Sequence, residues 1–209
     1  MDIAAVVLAA GSATRFGQNK LLLPFGASTV IGHTVASVLR AGAQPVVVVT
    51  GHEREHVEAA LAGLAVQFTH NARHAEGEMI LSAQVGLRAL LSTNAVAAFI
   101  VLGDMPLVPT WVFARLATAY RQRCGEIVAP MFGAQRGHPV LLGRSWWEAA
   151  LALSPDVPLR ALLQAHPHIV AHVLVNTDAV LRDVDTPELY AEALKQQTHS
   201  SLGLQPNLE

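Results

Sequence analysis

Ile3-Ala4-Ala5-Val6-Val7-Leu8-Ala9-Ala10-Gly11-Ser12-Ala13-Thr14-Arg15-Phe16-Gly17-Gln18-Asn19-Lys20 decides how the rest of this chain is read. The apolar run Ile3 to Leu8 has the length and composition of a strand buried on both faces. It drops without a linker into small residues and then into two spaced cations, Arg15 and Lys20. Gly11 has no Cβ, so the backbone there can approach a ligand closely and turn successive N–H groups toward an anion. Donors and two cations at the carboxyl end of a strand suit a polyphosphate guest. Two better-known phosphate loops are excluded by spacing. A Walker loop needs G-x-x-x-x-G-K-[ST], whereas Gly17 and Lys20 are separated by two residues and Leu21 stands where Ser or Thr should. A dinucleotide fingerprint needs G-x-G-x-x-G, and Gly11, Ala13 and Thr14 do not supply it.

Outward from that stretch, strand and helix patterns alternate. Thr29 to Ala41 puts Ile31, Val35 and Val38 on one helical face and closes at Gly42. Val46 to Val49 is an apolar strand, Val57, Ala60, Leu61 and Leu64 mark a helix, and Val66 to Thr69 a short strand. A helix over Gly77 to Leu91 precedes the buried strand Ala97 to Leu102; the helix carrying Val112 and Leu116 is expected to stop at Gly125. Strands over 127–129 and 140–142, short helices over 145–153 and 157–165, and a strand over 169–175 follow. Thr186 caps and Pro187 starts a last helix. The pattern predicts a three-layer α/β/α domain with a mostly parallel mixed sheet, occupying residues 1–196. The tail over 197–209 is expected to be disordered, and Leu208-Glu209 has the look of a cloning scar.

Composition narrows the partner. A chain of 209 residues suits one domain with a substantial core, and a formal net charge of -2 lacks the basic footprint of a nucleic-acid or membrane-surface protein. A small molecule is the expected partner. Cys124 is the single cysteine, which excludes an internal disulfide and a cysteine-based zinc site; it reads as a small, partly buried residue. With no signal-like segment and no apolar run of membrane-spanning length, a cytoplasmic protein is expected.

The candidate chemistry lies where strands end. The strand Ala97 to Leu102 ends directly in Gly103-Asp104, which puts Asp104 in the crevice where open α/β sheets bind ligands. It is a metal-ligand candidate. Magnesium is usually held by one or two carboxylates plus substrate phosphates, so a second carboxylate should converge on it. Asp183-Val184-Asp185-Thr186-Pro187 offers that: in extended geometry Asp183 and Asp185 share a face, and either can be the second ligand, with helix capping the competing role for Asp185. Gly137 and Pro139 fix a loop around His138. His52-Glu53-Arg54-Glu55-His56 satisfies the zinc motif H-E-x-x-H, but the preceding strand puts His52 at a helix's first turn, where that motif does not function. Trp146 and Trp147 read as packing residues.

Leu8-Ala9-Ala10-Gly11 with Arg15, Gly17 and Lys20 resembles the opening loop of nucleotidyltransferases that move a nucleoside monophosphate from a nucleoside triphosphate to a phosphorylated acceptor. Leu102-Gly103-Asp104-Met105-Pro106, Arg136-Gly137-His138-Pro139-Val140, Asp183-Val184-Asp185-Thr186-Pro187, and Glu76-Gly77 before a Ser82-bearing helix narrow the resemblance to the molybdenum cofactor cytidylyltransferases, within the nucleotide-diphospho-sugar transferase superfamily. It covers roughly residues 3 to 195. The resemblance implies a Rossmann-like, GT-A-like fold and transfer of CMP from CTP, with Mg2+ or Mn2+, to the terminal phosphate of a molybdopterin-type cofactor. It further implies that Leu8, Ala9, Ala10, Gly11, Gly77 and Ser82 bind nucleotide, that Arg15, Lys20 and Asp104 act on the triphosphate, that Asp104 and Asp185 hold the metal, and that Arg136, Gly137 and His138 bind the acceptor. A molybdoenzyme or its chaperone would receive the product, with no nucleic-acid or membrane partner. Guanylate-transferring relatives carry Gly where Ala10 stands, so the Ala10 methyl is expected to take space from a purine. Two segments depart from the family pattern, Glu78 and Asp156-Val157-Pro158-Leu159-Arg160, both on the acceptor side. The alternatives are a sugar-phosphate or isoprenoid-phosphate acceptor, or a non-catalytic carrier of the molybdenum cofactor.

Overall fold

A computed structural model of the chain describes residues 2–11 and 17–201. The opening strand β1 (Ile3–Ala9) is buried along its whole length at the middle of an eight-stranded sheet. On one side it pairs in parallel with β4 (Val46–Thr50), and β5 (Gln67–His70) lies beyond. On the other it pairs in parallel with β6 (Ala97–Leu102), Val6 opposite Ile100. Next comes β9 (Val140–Gly143), antiparallel to β6 and to β7 (Ile127–Phe132), and then β10 (Val170–Leu174), parallel to β7. A short β8 (Gln135–Arg136) folds back on β7. With β9 reversed between them, β1, β4, β5, β6, β7 and β10 all send their carboxyl ends toward one edge.

Alternation along β1 builds both faces. Ile3, Ala5, Val7 and Ala9 meet α1 (Val30–Arg40), α2 (Arg54–Ala60) and α4 (Thr110–Arg121) through Ile31, Val35, Val57, Val112 and Leu116. Ala4, Val6, Leu8 and Ala10 meet α3 (Met79–Leu90), α5 (Trp147–Leu151) and α6 (Leu159–Ala165) through Ile80, Leu87, Trp147 and Leu163. This is why the run is continuously apolar: in a covered parallel sheet neither face sees water. A smaller cluster of Leu23, Phe25, Val30, Val184 and Ala193 seats α7 (Pro187–Ser201) against the hairpin of β2 (Pro24–Phe25) and β3 (Ser28–Thr29).

Several expectations shift in detail. The last helix continues to Ser201, past the point where the tail was expected to begin. The helix α4 ends at Arg121 and is turned out by Arg123 in a left-handed conformation (φ 58°), not by Gly125. The stretch 145–153 divides into a 3-10 turn, Arg144–Trp146, and the short α5. Cys124 is exposed. Among the described residues no helix is long and apolar enough to cross a membrane.

Candidate active site

Register places Asp104. Because β6 lies beside β1 with Leu8 opposite Leu102, the chain leaving β6 turns against the end of β1. The Gly103 N–H donates to the Leu8 carbonyl at 3.0 Å. A Cβ at Gly103 would stand 2.7 Å from that oxygen, so the close approach requires glycine. The hydroxyl of Thr34, from α1, donates to the Gly103 carbonyl at 3.1 Å, and Met105 is buried on the far side. The Asp104 carbonyl then accepts from the Val184 N–H at 2.9 Å, which draws the segment before α7 alongside. Val184 points into the small core, so its neighbours Asp183 and Asp185 both face the other way. Ligand oxygens of Asp104, Asp183 and Asp185 lie within 4.8 Å of one another. Thr186, not Asp185, caps the last helix, its hydroxyl accepting from the Leu189 N–H at 3.3 Å.

Lys20 closes this cluster. Asn19 caps the 3-10 turn Lys20–Leu22, its side chain accepting from the Leu21 N–H at 3.1 Å, and Leu21 is buried beneath. The Lys20 ammonium donates to Asp104 Oδ2 at 2.5 Å and to Asp185 Oδ1. Burial opposes charge on this lysine, but the two carboxylates together outweigh it and hold its pKa above the ordinary value. Asp183 shifts upward as well, chiefly because it is partly buried, with Asp185 and Asp104 adding repulsion that Lys20 partly offsets. Three hard carboxylate donors in one place fit a magnesium- or manganese-type cation, which prefers oxygen ligands.

Adjoining the cluster is a cavity of about 820 Å³ lined by Leu8, Gly77, Arg136, Gly137 and His138, with Ile80, Ala83, Ile100 and Leu163 as aliphatic wall and Arg160 at the start of α6. A Cβ at Gly137 would stand 2.3 Å from the Val180 carbonyl, which also accepts from the His138 N–H at 2.8 Å. His138 is thereby fixed. Burial lowers its pKa and Arg136 adds to this, against a backbone bond at Ile100 and the charge of Asp104, so the ring is neutral near pH 7.

The expected residues therefore fall into two neighbouring groups. Lys20, Asp104 and Asp185 meet in the carboxylate cluster; Leu8, Gly77, Arg136, Gly137 and His138 meet in the cavity. Gly11 is exposed at the end of β1. Arg15 lies outside the described residues. Ser82 does not line the cavity: it is buried, accepting from Asn71 Nδ2 at 3.0 Å, and so braces the segment that carries Gly77. Ala9 and Ala10 are 1% and 4% exposed. The Ala10 methyl is turned toward Gly51, 2.8 Å from where a Cβ there would stand, because even-numbered residues of this strand face inward on the α3 side. In this structure the methyl packs against the Gly51 backbone. Arg160 escaped the sequence reading because its segment matched the family pattern loosely; Asp183 joins Asp104 and Asp185 in one cluster, as the i, i+2 spacing signalled.

The histidine motif resolves as a decoy. Glu53 is left-handed (φ 49°) and α2 starts only at Arg54, so His52 and His56 do not share a helical face. Among the described residues only the three aspartates bring three ligand atoms together. Trp147 is a core residue, its indole N–H donating to the Leu142 carbonyl at 3.1 Å.

Residues 5–170 match the MobA-like NTP transferase domain. The chain belongs to that family. The matched domain is accordingly of the nucleotidyltransferase kind. Among solved structures, this MobA-like chain is similar to Rv0371c from Mycobacterium tuberculosis H37Rv, with 28% identity, a TM-score of 0.82, and 93% of this chain and 98% of that one covered. The same mycobacterial protein has been solved in complex with manganese, at 27% identity and a TM-score of 0.77, covering 93% of this chain and 99% of that one. A nucleotidyl transferase from Methanothermobacter shares 26% identity at a TM-score of 0.82, covering 95% and 99%. A bifunctional protein GlmU from Francisella tularensis is 33% identical over an alignment of 150 residues that covers 64% of this chain and 32% of that protein. The chain thus spans about a third of the length of the curated relatives it matches.

Proposed function

We propose that this nucleotidyltransferase moves CMP from CTP to the terminal phosphate of a molybdopterin-type cofactor and releases pyrophosphate, in the cytoplasm, for delivery to a molybdoenzyme or its chaperone. The observation that carries the reading is the Lys20 ammonium held against Asp104 and Asp185, at the carboxyl ends of the parallel strands and beside a cavity that has one aliphatic wall and bears Arg136 and Arg160. Leu8, Ile80, Ile100 and Leu163 suit the faces of a flat heterocycle, with Glu78, Gln135 and His138 for its polar edge and the arginines for its phosphate. Leu8-Ala9-Ala10-Gly11 supports CTP through its resemblance to the cytidylyl-transferring relatives.

In the reaction an oxygen of the acceptor phosphate attacks the α-phosphorus of CTP; the new P–O bond forms as the bond to the β-phosphate oxygen breaks, and pyrophosphate departs. A phosphate anion is already a nucleophile, so no side chain must take a proton from it. Lys20, charged at neutral pH, neutralises charge gathering on the triphosphate, and Arg136 and Arg160 orient the acceptor. Asp104, Asp183 and Asp185 would hold the divalent cation, Mg2+ or the Mn2+ found with Rv0371c, which supplies further charge neutralisation to the phosphates when bound. Pyrophosphate release with each nucleoside triphosphate, with and without molybdopterin-type cofactor, tests the reading. CTP with the cofactor should turn over fastest. Turnover only with a sugar phosphate overturns the acceptor, and a preference for GTP overturns the base.

A further inference from the structure

The protein's own ammonium group stands where a bridging cation would bind. Lys20 Nζ contacts Asp104 Oδ2 and Asp185 Oδ1 together, and both carboxylates belong to the trio that converges within 4.8 Å. The contact is a built one. The backbone of the turn is fixed by the Asn19 cap and by buried Leu21, while the flexible four-carbon stem of Lys20 leaves its head free to move within reach. Lys20 and Asp104 side chains are only 17% and 16% exposed, so water screens this pair poorly and like charges brought together there repel strongly. One position between two carboxylates serves one cation at a time. A triphosphate entering over the Gly11 end of β1 would offer Lys20 a different set of anionic oxygens.

We propose that Lys20 is the resident counter-ion of the metal site. In the nucleotide-free protein its ammonium occupies the bridging position between Asp104 and Asp185 and suppresses divalent-cation binding; the phosphates of the incoming nucleotide draw it away, so that metal and nucleotide enter together. Part of the charge of the three-carboxylate cluster is thereby offset, and its bridging position is closed to metal in the absence of substrate. Coupling of this kind is reciprocal: nucleotide must tighten metal by the same factor as metal tightens nucleotide. The proposal rests on the preceding reading only for the identity of that nucleotide.

The test is Mn2+ binding to the full-length protein, followed by electron paramagnetic resonance, with and without CTP. Without nucleotide, Lys20→Met should bind Mn2+ about tenfold tighter than the parent or more, and Lys20→Arg should stay weak because it keeps a cation there. Lys20→Gln, neutral and hydrogen-bonding, is the second variant should methionine among the carboxylates unsettle the fold, and it should also tighten. Adding CTP should tighten Mn2+ in the parent and do so less in either neutral variant. If both neutral variants bind Mn2+ no tighter than the parent, the counter-ion role is overturned whatever the nucleotide. If they bind tighter but CTP leaves the parent unchanged, the role stands and the choice of CTP fails.

Discussion

Gly103→Ala is the substitution whose consequence can be worked furthest from the structure. Its Cβ would stand 2.7 Å from the Leu8 carbonyl oxygen and 2.9 Å from Ile31 Cδ1. Ile31 can swing its terminal carbon aside; the Leu8 carbonyl cannot, since it belongs to the central strand and already accepts from the Gly103 N–H at 3.0 Å. The turn must therefore move. Overpacking of this sort costs about 1–3 kcal/mol, and weakening the Gly103–Leu8 bond adds about 0.5–1.5 kcal/mol. A total of roughly 1.5–4.5 kcal/mol corresponds to a fall in Tm of roughly 3–18 °C in a chain of this size. Activity should fall further than stability alone would take it, because Asp104 is the next residue, and a shift near 1 Å in a positioned group costs about a hundredfold. Urea unfolding gives the first quantity, and pyrophosphate release at a temperature where the variant is fully folded gives the second. A variant within about 0.5 kcal/mol of the parent, with parental turnover, would refute the claim that this close approach positions Asp104.

Asp104→Asn and Asp185→Asn should each lose most turnover at saturating metal, since each removes charge from the cluster that Lys20 bridges. Asp183→Asn should lose turnover comparably if all three carboxylates ligate, and parental turnover would remove it from the metal set. Arg160→Gln should raise the acceptor KM by about tenfold to a hundredfold, the worth of a charged hydrogen bond, and leave the CTP KM unchanged; an effect on CTP instead would place Arg160 on the nucleotide side. Ala10→Gly should narrow the CTP:GTP ratio of kcat/KM if the packed methyl sets the backbone beside the base, and an unchanged ratio would mean that it only fills space. For His138, whose folded pKa lies below its unfolded value of about 6.5, the unfolded chain takes up a proton first on acidification. Its contribution is neutral above that pH, and stability is lost as pH falls through 6.5 toward the folded value. Urea stability of the parent should drop more between pH 7.5 and 5.5 than that of His138→Gln, and equal drops would contradict the assignment.

The sheet was legible because β1 and β6 are apolar at every position and β4 at all but its last residue, Thr50, the pattern of a sheet covered on both faces. Asp104 was legible for the same reason: an acid ending such a strand has one crevice to enter. The i, i+2 spacing around Val184 announced a shared face for Asp183 and Asp185, though only the Asp104–Val184 backbone bond brings that face to the cluster. Side-chain direction was harder to read. Whether the Ala10 methyl faces a base or Gly51 depends on the phase of β1 as it leaves the sheet, and Ser82 on a helical turn packed over Asn71. Arg160 carried only the weak signal of a loosely matching segment, because the seven-residue helix that brings it to the cavity is positioned by tertiary packing. The short β8 likewise exists only because β7 is there to pair with it.

The most direct test follows the α-phosphorus itself. With CTP labelled at the α-phosphate, divalent metal and molybdopterin-type cofactor, the account predicts label appearing in a cytidylylated cofactor with one equivalent of unlabelled pyrophosphate. The transfer should be lost in Lys20→Met and strongly reduced with GTP in place of CTP. Label recovered as free CMP, or transferred to a sugar phosphate while the pterin cofactor stays unmodified, would contradict it.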